Sequence, residues 1–373
     1  AHSTGAYARI RTQFNLPIGL FGGVQEPLAR IASNAYAIDA GRRLTTAILD
    51  QGKKLAVISA IMKYHATERM RASVNDAMDV HSGKAVIDGP LNYLQPAYRA
   101  IPIGITVEGA NIVTRNLIIF GQGAIRAHPY LLDEMTALQE PDRDKALDDF
   151  DRLFWAHAGH STKTAFRAFF SSLTGKGHAP RDAGKVRDIY GRLSRWSAAF
   201  AVTADLAFLT LGGALKRKEM ISARLGDALS EMFLVAAMLK RWEDDGRPEA
   251  DLPLLRHASE RSFQAIGVAL DGTIANFPAR WARWLLRLLT RPRAQGRGPS
   301  DALTEKAAML VYAPSETRNR LVGALHPPAP ESGLGLLEQA YRLVVDTEPL
   351  RKRLRDLKKT PDAARNNGLL SDA

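Results

Sequence analysis

Apolar residues recur three and four positions apart along almost the whole chain, as in Leu28, Ile31, Ala32, Ala35 and Ile38. That period belongs to a helix with one buried face, and it limits the possible folds more than any other feature of the sequence. It predicts helices over 27–50, 54–80, 111–126, 186–211, 221–242 and 255–270. Alternating strand patterns are scarce, and no Asn-Gly turn stands between β-branched runs; the pair Asn367-Gly368 lies in a polar tail. The expected class is all-α, arranged as two helical bundles, residues 1–130 and then 131–373.

Composition removes several function classes. The chain has 373 residues, enough for two or three domains at about 150 residues each. No Cys is present, which rules out disulfide scaffolds, thiol nucleophiles, iron–sulfur clusters and cysteine zinc sites. No stretch approaches the roughly 18 uninterrupted apolar residues of a spanning helix. Ala1 to Arg11 shows helical patterning at once and no signal-type apolar run, as expected for a fragment cut inside an element. With 51 basic against 39 acidic side chains the net charge is +12, so the surface favours anions: nucleic acid, anionic lipid or phosphorylated small molecules.

Gly and Pro punctuate the pattern. Phe14-Asn15-Leu16-Pro17-Ile18-Gly19 should end the first helix, because Pro17 disfavours helical geometry at Leu16. Residues 82–102 carry Gly83, Gly89, Pro90, Pro96 and Pro102 and read as one long connecting loop. Gly175 to Pro180 and Arg291 to Ser300 are candidate boundaries.

Three segments carry candidate chemistry, each with two readings. Glu108 stands where the long loop meets a helix, beside Gly109; it suits a general base, or equally an acid offsetting the helix dipole. Arg11 could clamp a pyrophosphate through forked hydrogen bonds or be a solvated helix residue. His81-Ser82-Gly83 could face a phosphate or simply stop a helix.

Taken in order, Arg11-x-Gln13-Phe14-x-x-Pro17-Ile18-Gly19, two long helices, the Gly83 turn and Val107-Glu108-Gly109 resemble the C-terminal helical domain of acyl-coenzyme A dehydrogenases. The match is to the long bacterial fatty-acid β-oxidation type with an extra C-terminal helical region, carried also by Glu26 to Ala32, Val107 to Arg115 and Leu117 to Arg126. The resemblance implies FAD as cofactor and α,β-desaturation of a fatty acyl thioester to the trans-2-enoyl product, with Glu108 taking the α-proton. It further implies that Val107 and Gly109 lie against the substrate. Arg11, Gln13 and Phe14, with His81, Ser82 and Gly83, would reach the flavin of a neighbouring subunit, which requires at least a homodimer. Electrons would pass to an electron-transfer flavoprotein. Departures are Gly22 and Asp79 where the family often has Gln, Ser82 where it has Gly, and Ala110 and Ile112 in place of a Thr-x-Gln pair. The β-rich domain that precedes this bundle in the family is missing, so the piece alone is expected to be inactive.

The second half has one sharp feature. From Phe277 to Ser300 no acid occurs, and Arg280, Arg283, Arg287 and Arg291 follow one helical face, with Arg293 and Arg297 beyond. Trp281, Trp284, Leu285, Leu288 and Leu289 form the opposite face. Such a helix suits an anionic membrane surface, or a core-packed helix with a solvated Arg face; the resemblance favours the membrane. No nucleic-acid motif accompanies the charge. His157 and His160 read as structural, with no third metal ligand evident and no metal expected, and the basic stretch Arg351 to Lys359 as a solvated helix end. The expected location is the cytoplasm, with the inner-membrane surface as the peripheral option. The non-enzymatic alternative is a basic helical protein that binds anionic membranes.

Overall fold

The computed structural model describes residues 1–123, 128–290, 297–323, 326 and 328–356. Helices dominate, as the period requires, and they form two compact units: Ala1–Ala32 with Ser73–Arg99 and the chain from Glu305, and Ser33–Ala72 with Ala100–Thr304. The helices expected from periodicity are found at Gly22–Asp50, Ala56–His81, Arg187–Leu211, Glu219–Asp244 and Leu252–Ala275.

In the first unit, helix His2–Ile10 packs through small residues against Gly333–Asp346 and the end of Asp301–Tyr312. Gly5 is obligatory there, since a Cβ would fall 2.1 Å from the Val311 carbonyl oxygen. Ile31, Ala77, Ala85 and Leu94 form a second buried cluster, and Arg30 ties its helix to Asp76 through two hydrogen bonds of 3.1 and 2.7 Å. Arg318 is 4.1 Å from the Tyr341 ring centre, and Tyr341 donates to the Tyr312 carbonyl.

The second unit is organised by Glu219–Asp244 and Leu252–Ala275. Leu225, Leu234, Val235, Met238 and Leu239 on one, and Leu254, Leu255, Phe263, Ile266 and Ile274 on the other, are all essentially solvent-free. At about 2 kcal/mol for each fully buried side chain of this kind, this interface is a principal source of the unit's stability. Arg143–Thr174, a long helix absent from the periodic segments, begins with Asp142 accepting from the Asp144 and Lys145 amides and ends at Gly175 with φ 69°.

Several expectations need correction. The supposed loop over 82–102 is mostly helical, with Gly83–Val86 and Gln95–Thr106 leaving only 87–94 as connector. Pro96 is tolerated in the first turn, where its missing N–H has no helical acceptor to serve. Residues Asn111–Val113 are α-helical, but Thr114–Gln122 winds as a π-helix packed on Glu219–Asp244; Arg126 lies outside the described residues. Gly226 admits that approach, since its Cβ would sit 3.1 Å from the Arg115 carbonyl oxygen. The candidate boundary at 175–180 is a break between helices within the second unit, where a Cβ on Gly177 would meet the Gly191 carbonyl oxygen at 2.0 Å. Segment 184–217 is long and apolar enough to cross a membrane by length and composition, contrary to expectation. Within the bundle its Trp196, Ala199, Val202 and Ala207 are buried.

The Arg/Trp helix also differs from its helical-wheel reading. On Arg280–Thr290 the core side is Ala282, Leu286 and Thr290, four residues apart. Trp281 and Trp284 are 57% and 67% exposed, so the indoles form a face of their own and are not the packed one. Arg280 and Arg287 are exposed, while Arg283 donates to the Phe277 carbonyl; Arg291, Arg293 and the first part of the candidate boundary, residues 291–296, fall outside the described residues.

Candidate active site

The Glu108 loop begins where helix Gln95–Thr106 ends. Glu108 has φ 54° and Gly109 φ 87°, so two consecutive residues occupy the left-handed region. For a residue with a side chain that conformation costs about 1–3 kcal/mol and persists only where the surroundings impose it. They do so here. Lys63 Nζ donates to the Gly109 carbonyl at 2.6 Å, to Asn111 Oδ1 at 2.6 Å and to the Ile105 carbonyl at 3.3 Å. Asn111 Nδ2 in turn donates to Thr67 Oγ1 and Glu68 Oε1, and Thr114 Oγ1 donates to the Gly109 carbonyl at 3.1 Å.

The next helix has Ala110 as N-cap with no side-chain cap, and its first turn contains no acid. Glu108 precedes it, exposed, with no hydrogen-bond partner among the described residues. Its carboxylate makes no capping hydrogen bond to the helix terminus.

The Arg11 segment forms a small hairpin that the sequence did not announce. Thr12 and Gln13 pair antiparallel with Leu16 and Pro17, and Phe14 and Asn15 make the turn at φ 49° and 62°. Positive φ at both central residues matches the natural twist of a two-residue hairpin. Phe14 is 88% exposed at the tip, edge-on to Phe21. Arg11 and Gln13 are exposed, with side chains making no hydrogen bond among the described residues. Gly19 closes the hairpin against Tyr312, whose ring a Cβ would meet at 2.5 Å.

The turn at His81 splits into a buried residue and two exposed ones. His81 is packed inward, stacked on Tyr7 with ring centres 4.1 Å apart. Burial lowers its pKa from 6.5 to about 4, although the Ala77 carbonyl pulls the other way. The neutral ring then donates from Nδ1 to Ala77 and accepts at Nε2 from the Tyr93 hydroxyl, both at 2.7 Å. Both nitrogens are thus used inside the fold, and no ring atom remains for a cofactor. Ser82, at φ 52° and ψ −135°, adopts a backbone conformation that suits glycine, and Gly83 beside it is open. Ser82 and Gly83 line an open cleft of about 910 Å³ together with Asn75, Asp79, Gln95 and Arg99.

A second cleft, of about 650 Å³, lies among Tyr64, His65, Arg69, Arg115, Asp227 and Glu231. Its charges are mostly paired: Arg69 binds both Glu231 oxygens at 2.8 and 2.7 Å, and Arg115 binds Asp227. Burial opposes ionisation of Glu231, but Arg69 and His65 outweigh it and hold the carboxyl below its ordinary value. Burial dominates at Asp227 and raises it.

Two histidines meet an acid elsewhere. His128, His157 and Asp205 offer ligand atoms within 4.8 Å of one another, so His157 finds partners remote in sequence in addition to its neighbour His160. His128 Nδ1 accepts the Tyr130 and Leu131 amides, which leaves the proton on Nε2, donated to Asp205 at 2.9 Å. A ring so engaged has no lone pair for a cation, while His157 Nδ1 is held by Glu134 at 2.8 Å. This is a hydrogen-bonded network.

Known proteins bear on these sites. Residues 1–121 match the family described as acyl-CoA dehydrogenase, C-terminal domain, and residues 125–370 the family described as acyl-CoA dehydrogenase, C-terminal, bacterial type. A 3-(aryl)acrylate reductase from Clostridium sporogenes is 30% identical over 113 residues, covering 30% of this chain and 29% of its own. Among solved structures, an acyl-CoA dehydrogenase complexed with FAD from Bacillus anthracis shares the fold with a TM-score of 0.61 at 18% identity. The alignment covers 84% of this chain and 53% of that one, so the chain spans about half the length of its solved relative.

Proposed function

The chain belongs to the acyl-CoA dehydrogenase family, and on that footing we propose that it is the C-terminal portion of an FAD-dependent enzyme that desaturates fatty acyl-coenzyme A at the α,β bond in fatty-acid β-oxidation. The observation that carries this reading is Glu108: an exposed carboxylate on a clamped left-handed turn, not engaged by the adjoining helix. Its free lone pairs suit it to take the α-proton of the thioester. Val107 and Gly109 would contact the acyl group beside it. FAD, when bound, accepts the hydride from the β-carbon.

The residues present fit such a cofactor. Arg11 and Gln13, whose side chains are unpaired among the described residues, precede Phe14 on the hairpin, and Ser82 and Gly83 border a cleft. These would hold the diphosphate and adenosine side of a flavin from a second subunit, giving a homodimer. Ala110 and Ile112 offer no side-chain hydrogen bond, so that side relies on the hairpin and the turn. An electron-transfer flavoprotein would take the electrons onward. The whole enzyme would need the other half of the length its solved relative has, and the isolated piece would not turn over.

The test uses the full-length protein. Long-chain acyl-coenzyme A should bleach its flavin absorption, and Glu108→Gln should slow bleaching about 10²- to 10⁴-fold, the usual worth of a general base, with flavin retained. Bleaching at the original rate would end the assignment.

A specific observation also supports peripheral membrane contact by a cytoplasmic enzyme. Trp281 and Trp284 are exposed between Arg280 and Arg287, the composition of a helix lying at an anionic headgroup layer. Sedimentation with phosphatidylglycerol vesicles should be lost in the double variant Trp281→Ser, Trp284→Ser. Equal binding by the variant would remove this surface from consideration.

A further inference from the structure

Lys63 is the point on which the Glu108 loop converges. A lysine ammonium has three N–H donors, and all three are used: on the Ile105 carbonyl, the Gly109 carbonyl and Asn111 Oδ1. Two of these acceptors bracket Glu108 in sequence, and the third begins the following helix. The Ile105 carbonyl is among the last of helix Gln95–Thr106, where a cation is favoured by orphan acceptors and by the dipole. Asn111 extends the clamp, because its amide donates to Thr67 and Glu68, one turn further along the helix that bears Lys63. Lys63 makes no ion pair among the described residues, so this half-buried charge is met by main-chain and amide oxygens alone.

We propose that Lys63 is a positioning residue for Glu108, fixing the left-handed turn that presents the carboxylate to the substrate α-carbon; this rests on the reading of Glu108 as the base. A tethered but unclamped carboxylate would still reach the substrate, but from a distribution of positions. Misplacement by about 1 Å costs about 100-fold in rate. The loss falls on the proton-transfer step and leaves substrate binding largely intact.

The experiment uses the full-length FAD-loaded enzyme and an α,α-dideuterated long-chain acyl-coenzyme A. Lys63→Met, similar in length but without donors, should lower the flavin-bleaching rate about 10- to 100-fold with KM changed little. The primary isotope effect should rise as proton abstraction becomes more limiting, a readout that a general loss of fold would not produce. Wild-type rate and isotope effect in folded, yellow Lys63→Met would overturn the proposal. Should that variant not fold, Lys63→Gln, which keeps a shorter donor, carries the same test: a smaller fall with a raised isotope effect supports the clamp, and wild-type values overturn it. Glu108→Gln measured alongside keeps the two readings apart. Bleaching that survives Glu108→Gln ends the base assignment and this inference with it, whereas bleaching lost in Glu108→Gln but normal in the Lys63 variants overturns the clamp alone.

Discussion

At Ser82 and at Glu108 the chain holds a residue with a side chain at φ 52° and 54°, each directly before a glycine and a short helix. In the Ser82 turn the following Gly83 has ordinary backbone geometry, so the residue able to relax the strain stands one place too late. In the Glu108 turn Gly109 shares the left-handed stretch, and Lys63, Asn111 and Thr114 hold the carbonyls around it. The first turn bears a strain that glycine would remove. The second bears one that glycine would remove only by deleting the carboxylate.

That contrast can be broken experimentally. The largest effect is expected from Glu108→Gly in the full-length enzyme, which should lose about 10²- to 10⁴-fold in turnover. The same variant should unfold at higher denaturant, by about 0.4–1 kcal/mol or more. A destabilised Glu108→Gly would show that the side chain also supports its loop.

A middle-sized effect concerns pH, because each unit buries a histidine. His81 in one and His65 in the other are lowered from 6.5 to about 4, chiefly by burial. Between those values the unfolded chain binds protons that the folded chain refuses, so stability is present above pH 6.5 and is lost as pH falls toward 4. The melting temperature should drop across that window, and His81→Gln should flatten its slope. An unchanged slope in His81→Gln would mean that His81 titrates near its ordinary value in the fold.

The smallest effect is at the other turn: Ser82→Gly should stabilise by about 0.4–1 kcal/mol, read as a shift in denaturation midpoint. No gain would mean that the two turns are not strained alike.

What the sequence revealed and what it hid follow from range. A helix that buries one stripe writes its period into neighbouring residues, so Glu219–Asp244 and Leu252–Ala275 were legible to within a few positions. Arg143–Thr174 was not, because among its apolar side chains Trp155, Phe166 and Phe170 are exposed and blur the buried stripe of Thr164, Ala168 and Ser171. The Arg/Trp helix misled for a related reason: a two-sided wheel cannot show a third side of Ala282, Leu286 and Thr290. At the candidate site, Glu108-Gly109 and Arg11 to Phe14 were readable as short motifs. His81 showed no sign in sequence that Tyr7 and Tyr93 would enclose it, and Lys63 none that it would hold a loop more than forty residues on. Those are tertiary pairings, and no local pattern encodes them.

Gly5 against Val311 and Gly19 against Tyr312 have a consequence for how such a protein can be dissected. The stretch with the hairpin belongs to one inherited segment, and the helices that pack it belong to the next. A scissor placed at the seam between the two would free no self-sufficient piece: the amino-terminal helix would lose its floor and the Arg11 tip its footing. Inheritance and folding divide this polypeptide along different lines, and laboratory truncations are better planned on the second.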